Sequence, residues 1–118
     1  METEWVREYC LSLPHTTEMV QWGSDLVFKI GGKMYAVLAL EPSAHWMSFK
    51  CSPESFAELT ERQGMVPAPY LARAQWVALE NSSVIPRAEL KTLLKAAYAL
   101  IFEKLPKKTQ KELGSTVG

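Results

Sequence analysis

Alternating apolar and polar positions in the first half of the chain predict antiparallel strands. Leu26, Phe28 and Ile30 fall on one side of the first run, as expected of a half-buried strand. The second run, from Lys33 to Leu40, is apolar on both sides, which predicts a central strand rather than an edge strand. A third run, from Trp46 to Cys51, alternates again. The pattern therefore indicates a hairpin followed by a third strand.

The Gly31-Gly32 pair between the first two runs is typical of a tight hairpin turn, because glycine readily adopts the positive φ angles of a primed turn. A loop of these two residues alone would pair Ile30 with Lys33. It would also pair Phe28 with Tyr35. A three-residue loop with a glycine bulge would shift the register and exchange the faces of the second strand. Both registers are open on the sequence alone.

The register decides which apolar face of the second strand the helices leave uncovered. An uncovered apolar face would suit a protein partner or a second copy of the chain. Depending on the register, that face carries either Met34, Ala36, Leu38 and Leu40 or Tyr35, Val37 and Ala39.

Helical spacing and capping residues predict three helices. Apolar residues recur at helical spacing over residues 3–11, and Pro14 follows as a stop. Ser52-Pro53-Glu54 predicts the start of a second helix, since serine caps a helix N-terminus and proline is tolerated at the first helical position. The most regular apolar stripe predicts a third helix over residues 86–105.

The remaining segments are predicted as connections and two further strands. His15–Ser24 is expected to be a loop, because it is rich in capping and turn residues. Met65–Tyr70 is interrupted by prolines and suits an edge strand or a loop, and Gln75–Glu80 is expected to be the last strand. We expect a single domain over residues 1–106 and a flexible C-terminal tail over residues 107–118.

The composition fits one soluble domain, since 47% of the 118 residues are hydrophobic and 22% are charged. Thirteen basic residues balance thirteen acidic ones. Residues 1–60 hold eight acids and four bases, whereas residues 61–118 hold five acids and nine bases, so the charge is bipolar along the chain. The acidic N-terminus and the short apolar runs predict a cytoplasmic protein without a membrane segment.

The sequence contains no catalytic or metal-binding signature. Cys10, Cys51, His15 and His45 lack the spacing of metal ligands. Cys51 is the best-placed nucleophile, at a strand end before a helix, but a buried core cysteine is the simpler interpretation. The glycine pair lies in no phosphate-loop motif. We therefore expect neither an enzyme nor a cofactor.

Basic residues on the hairpin, a neighbouring strand and the last helix are candidates for phosphate contacts. A two-stranded wing beside a basic helix can grip a nucleic-acid backbone or enter a groove. The candidate set is Lys29, Lys33, Lys50, Arg73, Arg87, Lys91 and Lys95. Trp46 and Trp76 would add stacking surfaces if they are exposed. The zero net charge argues against this interpretation, because a DNA-binding domain usually has a basic excess.

Six short motifs occur in order between the first helix and Pro106. They are Leu13-Pro14, Phe28 to Tyr35 at the hairpin, Phe49 to Glu54 at the strand-to-helix junction, Val66 to Tyr70, Trp76-Val77, and Leu93-Leu94 with Ala97-Tyr98. In this order the motifs resemble the MmcQ/YjbR family of small bacterial proteins. The chain departs from the common pattern at His15, where glycine is frequent, and at Ala97, where serine is frequent.

The resemblance implies an α+β fold of two layers, an antiparallel sheet of about five strands backed by helices in the order α-β(3)-α-β(2)-α. It makes Met65–Tyr70 the fourth strand and Gln75–Glu80 the fifth. Family members are commonly described as DNA-binding from a double-wing arrangement, without an established reaction, cofactor or site. A similar architecture occurs in secretion chaperones, which bind protein, so the fold alone does not indicate whether the partner is DNA or protein. DNA is the first candidate partner, and a protein partner or a homodimer is the alternative.

Overall fold

A six-stranded antiparallel sheet and four helices make up the structure, a computed structural model that describes residues 2–69 and 71–117. The strands are β1 (Thr17–Gln21), β2 (Asp25–Ile30), β3 (Lys33–Ala39), β4 (Met47–Lys50), β5 (Met65–Pro67) and β6 (Trp76–Leu79). The helices are α1 (Glu2–Ser12), α2 (Pro53–Leu59), α3 (Arg87–Lys104) and α4 (Lys107–Val117). The strand order is β1-β2-β3-β4-β6-β5, and neighbouring strands pair antiparallel.

The predicted α+β fold with an antiparallel sheet is confirmed, and the sheet has one strand more than expected. The extra strand, β1, lies within His15–Ser24, so the prediction of a loop there was wrong. An edge strand that is exposed on both faces does not need the apolar alternation by which buried strands are recognised. Three of the five residues of β1 are exposed, and the other two are half-buried. The central position predicted for β3 is confirmed.

Local capping explains where α2 begins. Ser52 adopts an extended backbone conformation, and its side chain accepts a hydrogen bond from the backbone N–H of Ser55 at 3.1 Å. Pro53 occupies the first helical position, as the sequence predicts. The predicted fourth strand is shorter than expected: β5 ends at Pro67, and Tyr70 lies outside the described residues.

Residues 107–117 form α4, and the flexibility predicted for residues 107–118 stays a prediction. The side-chain amide of Gln110 donates to the backbone carbonyls of Leu105 at 2.8 Å and Glu103 at 3.1 Å, which ties α4 to the end of α3. The domain boundary at residue 106 stays a prediction.

The β2–β3 hairpin combines a two-residue turn with a bulge. Ile30 pairs with Lys33, as the two-residue turn predicts. The register then shifts by one residue, so Phe28 pairs with Ala36 instead of with Tyr35, the partner that a two-residue turn without a bulge would give it. Tyr35 is the extra residue on β3. Because a bulge locally breaks the alternation of side chains, Tyr35 and Ala36 are both buried in the core beneath the helices.

The main core lies between the sheet and the helices. It contains Phe28, Tyr35, Leu38 and Phe49 from the sheet and Val6, Cys10, Leu90 and Leu94 from α1 and α3. A smaller cluster lies on the opposite face of the sheet. It contains Ala68, Trp76 and Ala78, with Met34, Val37, Val66 and Leu71 packed against them. Among the described residues, Ala68 and Leu71, which precede a short 3-10 turn, pack on this second face, and no residue of the four helices belongs to the cluster, so the helices leave this face open.

Candidate functional site

A groove of about 480 Å³ lies on the open face of the sheet. The strands supply its floor, the turn between β1 and β2 supplies one side, and Ala68, Pro69 and Leu71 supply the other. Its lining residues are Trp22, Asp25, Met34, Val37, Ser48, Ala68, Pro69 and Leu71. Most of these side chains are apolar, and the volume falls within the range of about 300–1,000 Å³ typical of ligand sites. We call this feature the open-face groove.

Trp22 stands at the side of the open-face groove in a strained backbone conformation. Its φ is 53° and that of Gly23 is 88°, values that match the two central positions of a primed hairpin turn. Asn, Asp or Gly is preferred there, and a bulky residue with positive φ costs about 1–3 kcal/mol. The side chain is nevertheless 66% exposed. The turn therefore holds a large aromatic ring at the groove instead of burying it.

Asp25 supplies a carboxylate to the otherwise apolar groove. Within residues 2–69 and 71–117, no side chain hydrogen bonds to this carboxylate or forms an ion pair with it. A neighbouring cavity of about 160 Å³ shares Asp25, Val37 and Ser48 with the groove and extends to His45 and Trp46. The combined surface offers apolar contact area, one carboxylate and the hydroxyl of Ser48.

The seven basic candidates divide between the two layers of the molecule. Lys29 alternates along β2 with core residues, so it lies on the open face of the sheet. Arg73 is exposed on the short turn that crosses this face. Arg87, Lys91 and Lys95 are exposed on α3, in the helical layer. The structure thus brings together only part of the predicted set on any one surface.

Two of the three candidate basic side chains on α3, Arg87 and Lys91, contact aromatic rings of α1. The guanidinium carbon of Arg87 lies 4.8 Å from the centre of the Trp5 ring, and the amine of Lys91 lies 5.9 Å from the same centre. The Lys91 amine also lies 5.7 Å from the centre of the Tyr9 ring. Such cation–π contacts orient the two cations and leave them exposed.

Lys50 is the candidate that the fold buries. Its side chain is 7% exposed, and its ammonium donates a hydrogen bond to the backbone carbonyl of Ala74. Burial and, next, the nearby ammonium of Lys104 lower the pKa of Lys50. The amine therefore helps to hold the 3-10 segment on the open face.

Lysines from distant parts of the chain surround the hairpin turn. Gly31 packs against Leu105 at the end of α3, and this contact places the hairpin beside the α3–α4 junction. We call the exposed lysines of the turn and the junction the basic corner; they are Lys33, Lys104, Lys107 and Lys108. Lys33 is one of the predicted phosphate contacts, and the other three lysines are not. Lys107 and Lys108 fall in the segment expected to be a flexible tail, and Lys104 lies at the end of α3.

The tryptophans proposed as stacking surfaces are largely inside the protein. Trp76 is 3% exposed within the cluster on the open face, so its predicted role as a stacking surface was wrong. Trp46 is half-buried and packs against the main core. The exposed tryptophan is instead Trp22, which has no distinguishing local signal beyond the glycine that follows it.

Both thiols are buried in apolar surroundings. Burial raises the pKa of Cys10 to about 12 and that of Cys51 to about 11. The Sγ of Cys51 also donates to the backbone carbonyl of Gln75 at 3.3 Å. Both thiols are free and protonated at neutral pH, which makes them poor nucleophiles. In the part of the chain that the structure describes, no three acidic, cysteine or histidine side chains are grouped as metal ligands would be.

The family model YjbR matches residues 11–100, which include the hairpin, the groove-lining strands and most of α3. The chain belongs to the YjbR family. Its fold is similar to the crystal structure of the Deinococcus radiodurans protein DR2400, which is described with the family-model domain DUF419. The TM-score is 0.84 at 30% identity, covering 95% of this chain and 87% of that one.

A second solved structure, from Pseudomonas syringae, shares the fold of this YjbR-family chain. It has a TM-score of 0.71 at 19% identity and covers 85% of this chain and 98% of that one. No curated protein matches the chain. Among the described helices, none is both long enough and apolar enough to cross a membrane.

Proposed function

We propose that this YjbR-family protein is a noncatalytic binding protein whose open-face groove binds an extended segment of a protein partner. The observation that carries the proposal is the exposed Trp22, which a strained turn holds at the side of the groove. Strain of this kind persists where the surrounding structure enforces it, often at binding sites. An exposed tryptophan is also a typical anchor of a protein interface.

The chemistry of the groove indicates what such a segment contains. Apolar side chains of the partner would pack on Met34, Val37 and Leu71. A lysine or arginine of the partner would pair with the carboxylate of Asp25, which has no partner among the described side chains. We therefore propose a segment with apolar side chains and one basic residue. Free cysteines agree with a reducing, cytoplasmic location for this interaction.

Peptide selection tests this proposal. A random peptide library is selected on the wild-type protein, and the enriched peptides are titrated against Ser48→Phe, which fills the floor of the groove. The matched control is Thr92→Phe on the exposed side of α3. We expect apolar peptides with one basic residue, and a loss of at least about tenfold in affinity for Ser48→Phe alone. Peptides that bind Ser48→Phe as tightly as the wild type would refute the groove as the site.

The charge of the partner segment is tested separately with Asp25→Asn. This variant should weaken a selected peptide that carries the basic residue. It should leave the affinity unchanged for the same peptide with that residue replaced by alanine. Equal effects on both peptides would show that Asp25 does not recognise the basic residue.

DNA binding is a second candidate function, and the basic corner is the observation that favours it. Its lysines lie at the hairpin and at the start of α4, where the helix dipole adds to their attraction for phosphate. The proposed phosphate contacts are the basic corner with the candidates Lys29, Lys50, Arg73, Arg87, Lys91 and Lys95. The zero net charge and the burial of Lys50 weigh against high affinity.

Fluorescence anisotropy with duplex DNA at low and moderate salt tests the second function. Binding through phosphates should weaken steeply with salt, and Lys107→Ala should reduce the slope of log K against log salt by roughly one. Lys95→Ala changes a basic residue of α3, so comparing it with Lys107→Ala distinguishes phosphate contacts on this helix from those at the basic corner. Absence of binding at micromolar protein and low salt would rule out this function.

A further inference from the structure

We propose that the protein forms a two-fold homodimer through its edge strand β1, so that two sheets join into one continuous twelve-stranded sheet. The proposed contact is an antiparallel pairing of Thr17–Gln21 with the same strand of a second copy. It does not depend on the groove function, because the edge of β1 remains available whether or not the groove is occupied.

The two edges of the sheet differ in how they are protected. β5 has three residues and ends at Pro67, which lacks a backbone N–H, so this edge cannot extend a ladder far. β1 has five residues and contains no proline, lysine or arginine. Natural proteins protect exposed edges with such residues or use the edge for pairing with another strand. The edge of β1 is therefore the one suited to association.

An apolar strip follows this unprotected edge. Met19 is 46% exposed and Val20 is 54% exposed, and the two side chains point to opposite faces of the strand. All the large apolar side chains that the structure describes as exposed are Leu11, Met19, Val20, Trp22 and Leu40. Met19 and Val20 lie on β1, and Trp22 lies in the turn that follows it. Three of these five exposed apolar residues therefore belong to the edge strand or its turn, and exposed apolar residues gathered in this way mark an interaction surface.

The other two exposed apolar residues lie near β1 but not on its open edge. Leu11 lies one helical turn after Arg7, whose guanidinium binds Glu18 on β1 at 2.7 and 2.5 Å. Leu40 follows β3, and its backbone N–H donates to the carbonyl of Ser24 at 2.9 Å, in the turn that follows β1. The apolar strip at the edge is therefore formed by Met19 and Val20 with Trp22 at its end.

The charge of β1 and the register of the proposed pairing favour a second copy of this chain as the partner of the open edge. Glu18 is the only charged residue of β1, and Arg7 neutralises it. In an antiparallel pairing centred on Met19, Glu18 faces Val20 of the other copy, and the two Glu18 carboxylates become diagonal neighbours at about 7–8 Å. Each carboxylate keeps its ion pair with Arg7 of its own copy, so the two carboxylates do not meet as unpaired like charges. A strand pairing with itself in this way meets no uncompensated charge.

Sedimentation equilibrium over a concentration series tests the dimer. The wild type should reach twice the chain mass of 13.3 kDa. Val20→Glu places each new carboxylate directly opposite Glu18 of the other copy, and because like charges facing each other across two strands repel, we expect the dissociation constant to rise by roughly a hundredfold or more. Ala57→Glu, on the exposed side of α2, is the matched control and should dimerise like the wild type. A wild type that stays monomeric up to its solubility limit, or a Val20→Glu variant that dimerises like the wild type, would overturn the proposal.

Disulfide cross-linking tests the register. Met19 faces its own copy across the axis, within the distance that a disulfide spans, so Met19→Cys should form a covalent dimer under mild oxidation. Thr17 faces Gln21 of the other copy, so Thr17→Cys should not cross-link. The native Cys10 and Cys51 are buried and should not react. Failure of Met19→Cys to cross-link, or equal cross-linking of Thr17→Cys, would overturn the Met19-centred pairing.

Discussion

Gly31 at the tip of the β2–β3 hairpin packs directly against the side chain of Leu105 at the end of α3. A Cβ atom on Gly31 would lie 2.6 Å from Cδ1 of Leu105, closer than two carbon atoms can approach. The hairpin is therefore docked on the helical layer. This single contact joins the predicted turn to the α3–α4 junction and assembles the basic corner.

Substitution of the two turn glycines should separate backbone strain from packing. Gly31 and Gly32 have φ values of 60° and 83°, so alanine is strained at either position, by roughly 1–2 kcal/mol. Only Gly31 also meets a neighbour, since nothing lies within 4 Å of a Cβ on Gly32. We expect Gly31→Ala to lower the free energy of unfolding by about 2–3 kcal/mol and Gly32→Ala by about 1–2 kcal/mol, measured in urea. Equal losses would show that the Leu105 contact adjusts without cost.

Trp22→Asn should stabilise the fold while it impairs the function. Asparagine tolerates positive φ better than tryptophan, so the variant should gain about 1 kcal/mol in unfolding free energy. It should also lose most of its affinity for a groove-selected peptide. Thermal unfolding and peptide titration measure the two effects. A variant that binds the peptide normally would show that Trp22 is not part of the site.

The hydroxyl of Tyr35 should contribute measurably to stability. It is buried, donates to the backbone carbonyl of Cys10 at 3.3 Å, and lies 3.0 Å from Oγ1 of Thr16. Tyr35→Phe leaves that carbonyl without this donor, so we expect a loss of about 1–2 kcal/mol in urea unfolding. The control is Tyr98→Phe, whose hydroxyl donates to the Pro14 carbonyl at 2.6 Å in an exposed position and should matter less. A larger loss of unfolding free energy in Tyr98→Phe than in Tyr35→Phe would contradict the expectation that the buried hydroxyl contributes more.

Alkaline pH should destabilise the protein through its buried thiols. The pKa of Cys10 is raised from 9.0 to about 12 and that of Cys51 to about 11, because burial disfavours the thiolate. Above pH 9.0 the unfolded chain therefore loses thiol protons that the folded protein retains, so the free energy of unfolding falls as pH rises towards 11. Cys10→Ala should make this fall shallower, and urea midpoints at neutral and alkaline pH measure it. A pH profile of stability that Cys10→Ala leaves unchanged would show that the Cys10 thiol does not cause the loss of stability at alkaline pH.

The sequence predicts the elements that local patterns specify. β2, β3 and β4 are recognisable because their burial follows from alternation or from a continuous apolar run, and α2 is recognisable because Ser52 caps it. β1 is missed because an edge strand has no buried face to mark it. The sequence leaves the hairpin register open and does not place the bulge, because Tyr35 is fixed by contacts with α1 and α3, which no pattern within the hairpin encodes.

The candidate site is less predictable than the fold because it is built from distant segments. The open-face groove requires the turn at Trp22 and the segment around Leu71 to meet across β3, and only the folded chain brings them together. The basic corner likewise depends on a contact between Gly31 and Leu105. The sequence identified Lys33 as a candidate but carried no signal for its neighbours in space.

Chemical-shift mapping of the isotope-labelled protein with a selected peptide tests the groove function most directly. Peptide-dependent shifts should concentrate on the backbone amides of Trp22, Met34, Val37, Ser48 and Leu71, which line one surface of the sheet. The same titration with Ser48→Phe should abolish these shifts, and the amides around Lys91 and Lys95 should stay unchanged in both. Shifts confined to α3 or the basic corner would contradict binding in the open-face groove.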